Sequence, residues 1–228
     1  MRHEKRFATP AALAEALAAH LAGRLRHDIA SRGRASLILS GGRSPAPMFE
    51  ALAEADLKWG KVDVTLADER LVPAEHPASN AGLVGRHLLK GNAEPANFVP
   101  LWKGTGDPAK GAQEALAHLA RPFTAVVLGL GEDGHFASLF PDLPDLADAL
   151  DPGHSAVAVE VPEIQGREPR VSLTLPTLTD ASEIILAFSG AAKRAVFERA
   201  GADGPVEELP VRAILRQGRA PVDVYWSP

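Results

Sequence analysis

Residues 124–141 read TAVVLGLGEDGHFASLFP: an apolar run of strand length, then three glycines, two acids, a histidine and a serine ahead of a proline. Such a run, closed by glycine, fits a buried strand whose carboxyl end opens into a polar loop. Gly129, Gly131 and Gly134 spell G-x-G-x-x-G, the spacing of a dinucleotide cradle. That cradle has to open a helix of about ten residues or more, and Pro141 and Pro144 follow too soon for one. A metal centre is equally short of partners, because neither H-E-x-x-H nor a second close histidine joins Asp133 and His135. A loop histidine can simply be a hydrogen-bonded structural residue. Here the glycine before it lets the backbone bend, Asp133 stands two residues away where it can orient a ring nitrogen, and an apolar strand anchors the loop. The stretch reads either as a structural loop or as a catalytic one, in which a positioned neutral imidazole could deprotonate water.

Outward from this strand, helix and strand signals alternate. Thr9-Pro10 followed by leucines at 13, 17, 21 and 25 and Gly33 predicts a capped helix. ASLILS (35–40) predicts a strand, Ser44-Pro45 a helix to about residue 55, and VDVTLAD (62–68) a second strand. Helices are expected from Ser79 to about residue 90 and from Asp107-Pro108 to residue 119. Later strands are SAVAVEV, RVSLTL, EIILAFS and PVDVYW, with GAAKRAVFERA a helix between the last two. Apolar strands without clean polar alternation predict an α/β fold, a mostly parallel sheet with helices on both faces. No fixed-period repeat interrupts residues 1–228, which read as a single domain.

Composition narrows the function. The 228 residues carry a formal net charge of −5 and no cysteine, which excludes disulfides, thiolate metal sites and cysteine nucleophiles and argues against a nucleic-acid partner. No apolar run approaches the roughly 18 residues a membrane span needs. The start, MRHEKRFATPAAL, has no apolar core before a small-residue cleavage site, so a cytoplasmic location is expected.

In a parallel α/β fold, ligands bind beyond the carboxyl ends of the strands. Those ends carry SGGRSP, DERLVP and GEDGHFAS, which predicts three polar loops converging on one crevice. Gly41, Gly42 and Ser44 stand ahead of a helix, where backbone N–H groups favour phosphate. Asp68-Glu69-Arg70 is either a solvated charge cluster or a device that presents Arg70 to an anion while an acid holds it. Lys193, after Ser189-Gly190, is a further candidate anion contact. A serine hydrolase would want G-x-S-x-G, which GGRSP does not supply.

With these residues in hand, the chain resembles the 6-phosphogluconolactonase family, within the wider group of sugar-phosphate isomerases and deaminases. The motifs are SGGRSP (40–45), ADERLVP with Ser79-Asn80, GLGEDGHFASLFP (129–141), RVSLTLP (170–176) and SGAAKR (189–194). The resemblance implies a single Rossmann-like, three-layer α/β domain. It further implies hydrolysis of 6-phospho-D-glucono-1,5-lactone to 6-phosphogluconate, in the oxidative pentose phosphate pathway, without metal or organic cofactor. By position, His135 looks like the general base with Asp133 as its neighbour. Gly41, Gly42, Ser44, Asp68, Arg70, Arg170 and Lys193 look like the substrate- and phosphate-binding set. The expected partner is a small sugar-phosphate lactone, not nucleic acid or membrane, and the expected state is a monomer or weak homodimer. The alternatives are a glucosamine-6-phosphate deaminase or isomerase, with Asp68 and His135 as its proton-transfer groups, and a non-catalytic sugar-phosphate sensor.

Overall fold

The computed structural model of the chain describes residues 2–42 and 44–228, so Arg43 of the SGGRSP loop lies outside the described residues. The elements run in the order β1 (Arg2–Arg6), α1 (Pro10–Arg32), β2 (Ala35–Leu39), α2 (Ala46–Ala53), β3 (Val62–Leu66), β4 (Asp68–Arg70) and α3 (Asn80–His87). They continue with β5 (Asn97–Phe98), α4 (Pro108–Leu116), β6 (Ala125–Leu128), α5 (Leu146–Leu150), β7 (Ala158–Val161), β8 (Arg170–Leu173) and α6 (Leu175–Thr179). The last four are β9 (Ile184–Ser189), α7 (Ala191–Ala200), α8 (Val211–Arg216) and β10 (Val222–Ser227).

The longest helix forms for the reasons its sequence states. The Thr9 hydroxyl accepts the Ala12 N–H at 3.1 Å, Pro10 supplies a first-turn residue that needs no donor, and Gly33 ends the helix in the left-handed region at φ 80°. Leucines 13, 17, 21 and 25 fall on one face and are buried. They join a contiguous core with β2, whose five residues are all buried, and with Phe49, Phe123 and Tyr225.

Seven strands form one sheet in the order β1-β10-β9-β6-β2-β3-β5, and every pairing in it is parallel. From β2 the chain first builds outward through β3 and β5, then returns to the other side of β2 with β6, β9 and β10. The direction of winding therefore reverses between β2 and β6. At such a reversal the loops leaving the two strands diverge and a crevice opens between them.

A second, three-stranded antiparallel sheet, β4-β8-β7, lies beyond the end of β3 and was not foreseen from the sequence. The expected strand 62–68 is in fact two strands. Ala67 is the crossing point: its N–H donates to Leu39 of the large sheet and its carbonyl accepts from Leu173 of the small one. The strand expected at 170–175 stops at Leu173, because Pro176 has no N–H to offer and sits in the first turn of α6. The charged edge strand β1, the two-residue β5 and the short helices α5, α6 and α8 also escaped the sequence reading, being too short or too polar for periodicity to mark them.

Glu69 ties β4 to α3. Its buried carboxylate accepts the backbone N–H groups of Arg70 (2.7 Å), Asn80 (2.8 Å) and Ala81 (2.7 Å) and the Ser79 hydroxyl (3.2 Å). Burial pushes this carboxyl above its ordinary value against the pull of the three N–H donors, and the nearby Asp68 charge adds to the rise. Replacing Glu69 with Ala strands four donors at once. The expected loss is about 2–4 kcal/mol of unfolding free energy, read from denaturant titration. A change under about 0.5 kcal/mol would show that the junction is held by other contacts.

Candidate active site

A cleft of about 520 Å³ opens at the carboxyl ends of β2, β6 and β9, bounded on one side by α1. The three loops expected to converge do so. Gly41, Gly42 and Ser44 line it from the loop after β2, Asp68 and Arg70 from β4, and His135 from the loop after β6. Arg170 of β8 and Lys193 of α7 complete the wall. Asp133 is the one expected residue that does not line the cleft; it stands behind His135.

His135 Nδ1 lies 2.5 Å from Asp133 Oδ1, and the same oxygen accepts the His135 backbone N–H at 3.1 Å. With a carboxylate as partner, Nδ1 carries the proton, which leaves Nε2 with its lone pair free. Burial raises the Asp133 carboxyl, but the hydrogen bonds from the His135 ring and backbone outweigh it, so the group ends below its ordinary value and stays ionised. The other side of the imidazole rests against the Phe140 ring at 4.4 Å. His135 is 29% exposed and lines the cleft.

The glycines that spell a dinucleotide motif serve this geometry. A Cβ on Gly131 would lie 2.1 Å from His135 Nδ1 and 2.5 Å from Asp133 Oδ1, so only glycine lets the ring fold back onto the loop. Gly134, at φ 85°, packs against Leu209, where a side chain would collide. No helix opens after them; the chain stays irregular until α5.

The cationic wall is built against ordinary sheet preferences. In the β4–β8 ladder Arg70 is directly opposite Arg170, a like-charge pair that costs stability. Burial, and then the charge of Arg70, push the Arg170 guanidinium below its ordinary value, while Asp68 and Glu168 pull the other way. The Arg70 guanidinium is held by the Ala78 carbonyl at 2.5 Å rather than by an acid, which corrects the expectation from Asp68-Glu69-Arg70. Glu69 fixes the Arg70 backbone instead. Among the described residues, Arg70 and Lys193 enter no ion pair.

Buried side-chain polar atoms without a partner concentrate here: Ser40 Oγ, Arg70 Nε, Asn80 Oδ1 and Arg170 Nε all belong to residues that line the cleft. Such orphans are rare in folded proteins and mark where a ligand or water completes the structure. Ser40 and Asn80 were not singled out by sequence reasoning, although both lie inside motifs that were. Position 41 explains Asn80: a Cβ on Gly41 would fall 1.8 Å from its Oδ1, so the glycine is needed for the amide to reach the cleft. Among the described residues no three His, Asp or Glu side chains converge as metal ligands would.

An oriented imidazole and a set of cations therefore share one cleft at the switch point of a parallel sheet, which defines an α/β protein suited to a small anionic ligand. The chain belongs to the family described as glucosamine-6-phosphate isomerases/6-phosphogluconolactonase, whose profile matches residues 8–226. It is 47% identical to a 6-phosphogluconolactonase of Mesorhizobium japonicum over 219 residues, covering 95% of this chain and 91% of that one. It is 43% identical to a 6-phosphogluconolactonase of Rhizobium meliloti over 225 residues, 97% of both chains. A crystal structure of a 6-phosphogluconolactonase from Shewanella baltica superposes with a TM-score of 0.94 at 37% identity, over 100% of this chain and 98% of that one.

Gly131→Ala tests the fold-back of the ring. The methyl group displaces the imidazole from Asp133, and kcat on the substrate proposed below is expected to fall at least about tenfold while the far-UV spectrum is unchanged. Wild-type kcat would show that the ring need not rest on residue 131.

Proposed function

We propose that this protein hydrolyses 6-phospho-D-glucono-1,5-lactone to 6-phospho-D-gluconate, in the oxidative pentose phosphate pathway. The observation that carries the proposal is the Asp133-held imidazole of His135 in the same cleft as Arg70, Arg170 and Lys193. It occurs in a chain whose relatives at up to 47% identity bear the name 6-phosphogluconolactonase.

Asp133 holds Nδ1–H, and Nε2 of His135 takes a proton from water as the oxygen attacks the lactone carbonyl carbon. The carbonyl electrons move onto oxygen, and the tetrahedral anion collapses with cleavage of the bond to the ring oxygen. That oxygen leaves with a proton from the imidazolium or from water, and the product is a carboxylate. A base and donors for the developing oxyanion are enough for so electrophilic an ester, and base catalysis of this kind contributes about 10²- to 10⁴-fold. Gly41, Gly42, Ser44, Arg70, Arg170 and Lys193 hold the phosphate, with Asp68 in the same binding set. Binding energy from this remote group orients the ring for attack. No metal or organic cofactor takes part.

We further take residues 1–228 as one catalytic domain, a monomer or weak homodimer in the cytoplasm that does not act on nucleic acid. In support, β1 pairs with β10, so the two ends of the chain share one sheet. No helix of the described residues is long and apolar enough to cross a membrane. The relatives' names favour hydrolysis over the isomerase and deaminase alternative.

A pH-stat assay on freshly generated lactone, corrected for spontaneous hydrolysis, is the direct test. Wild type turns over and His135→Ala loses at least about tenfold in kcat near neutrality, with its melting temperature preserved. Full activity in the variant would remove His135 from the reaction. Ammonia release from glucosamine 6-phosphate, expected to be absent, would instead establish the deaminase.

A further inference from the structure

The fold sets the buried Asp68 and the half-buried Arg170 near each other with opposite charges, yet they meet only as a long ion pair with no direct hydrogen bond, as Arg170 does with Glu168 at 4.0 Å. The closest approach, Arg170 Nη1 to Asp68 Oδ2, is 4.0 Å, beyond hydrogen-bond reach. Two forces favour closure. Asp68 is 5% exposed and needs donors, and Arg170 stands across the ladder from Arg70, whose repulsion a carboxylate would relieve.

Ser138 intervenes. Its hydroxyl donates to Asp68 Oδ2 at 2.5 Å and accepts from Arg170 Nη1 at 3.4 Å, so it stands between the two charges. Its backbone N–H donates to Ser172 Oγ at 3.2 Å, which pins it to β8. Ala137 just before it adopts φ 48°, a left-handed conformation unusual for alanine, and Ser138 follows this turn to its fully buried position. Asp68 gains little elsewhere, since the Asn80 amide reaches its side chain only at 3.5 Å and favours the backbone carbonyl at 2.8 Å. Ser138 does not line the cleft, so it acts through its neighbours.

We propose that Ser138 is a positioning residue: by occupying Asp68 it keeps that carboxylate from closing to a direct hydrogen bond with Arg170, and so leaves the guanidinium available to the phosphate of the substrate. The orphaned, buried Nε of Arg170 agrees with a cation held in readiness rather than spent on the fold. This rests on the lactonase reading for the identity of the anion, but its test does not depend on turnover.

Calorimetric titration with 6-phosphogluconate compares wild type, Ser138→Ala and Ser138→Thr. Loss of the hydroxyl lets Asp68 close on Arg170, so Ser138→Ala binds at least about fivefold more weakly and Ser138→Thr regains most of the affinity. In lactone kinetics the same loss appears in KM, with kcat within about twofold of wild type. Equal affinity of wild type and Ser138→Ala overturns the proposal, as does a loss confined to kcat. If Ser138→Ala melts below the assay temperature, Asp68→Asn and the double variant Asp68→Asn/Ser138→Ala take its place. With no carboxylate left to close, the two bind alike, and a further loss in the double variant overturns the proposal. Wild type that binds 6-phosphogluconate in this Ser138-dependent way but fails to hydrolyse the lactone refutes the reaction assigned above and leaves the role of Ser138 standing. Wild type that binds no 6-phosphogluconate refutes both.

Discussion

The hydrogen bond from His135 Nδ1 to Asp133 Oδ1 closes a tight loop in which the imidazole lies against the backbone of Gly131. The rest of the cleft depends on that closure. It fixes the tautomer, so the free lone pair is on Nε2, and it fixes the ring between Asp133 and the Phe140 face. Phe140 in turn carries the guanidinium groups of Arg167 at 4.2 Å and Arg170 at 5.2 Å over its ring. One aromatic side chain thus spaces the imidazole from two guanidinium groups. Without such a spacer those cations would oppose any positive charge on the ring.

The second constraint is electrostatic. A chain of net charge −5 gathers Arg70, Arg170 and Lys193 around one cleft; among the described residues Arg70 and Lys193 enter no ion pair, and Arg170 has only long ones, at 4.0 Å to Asp68 and Glu168. The cross-strand placement of Arg70 against Arg170 would be a fault in a sheet selected for stability alone. Its compensation lies in Glu69, which locks the backbone of Arg70 to the start of α3 without neutralising either guanidinium. Stability is supplied through main-chain donors, and the side-chain charge stays available to a ligand.

The large elements were legible in the sequence because each carries its own signal: the Thr9 cap and four-residue leucine spacing of α1, the apolar runs of β2, β6 and β9, the Ser79 cap of α3. The small antiparallel sheet was not, because its pairing of Asp68–Arg70 with Arg170–Ser172 spans about a hundred residues and leaves no local period. The site was legible as motifs and less so as chemistry. His135 and Asp133 could be read from spacing, whereas G-x-G-x-x-G misleads until the contacts of Gly131 and Gly134 are seen. Ser40, Asn80 and Ser138 reach their roles through contacts with distant strands, which no spacing reports.

Under the proposed function one ligand spans the distance between the imidazole and the cations, and a crystal structure with 6-phosphogluconate bound examines that span directly. It should show the phosphate on the Arg70, Arg170 and Lys193 side, and a carboxylate oxygen about 3–3.5 Å from Nε2 of His135. A phosphate seated against His135, or a product bound outside the cleft, would contradict it.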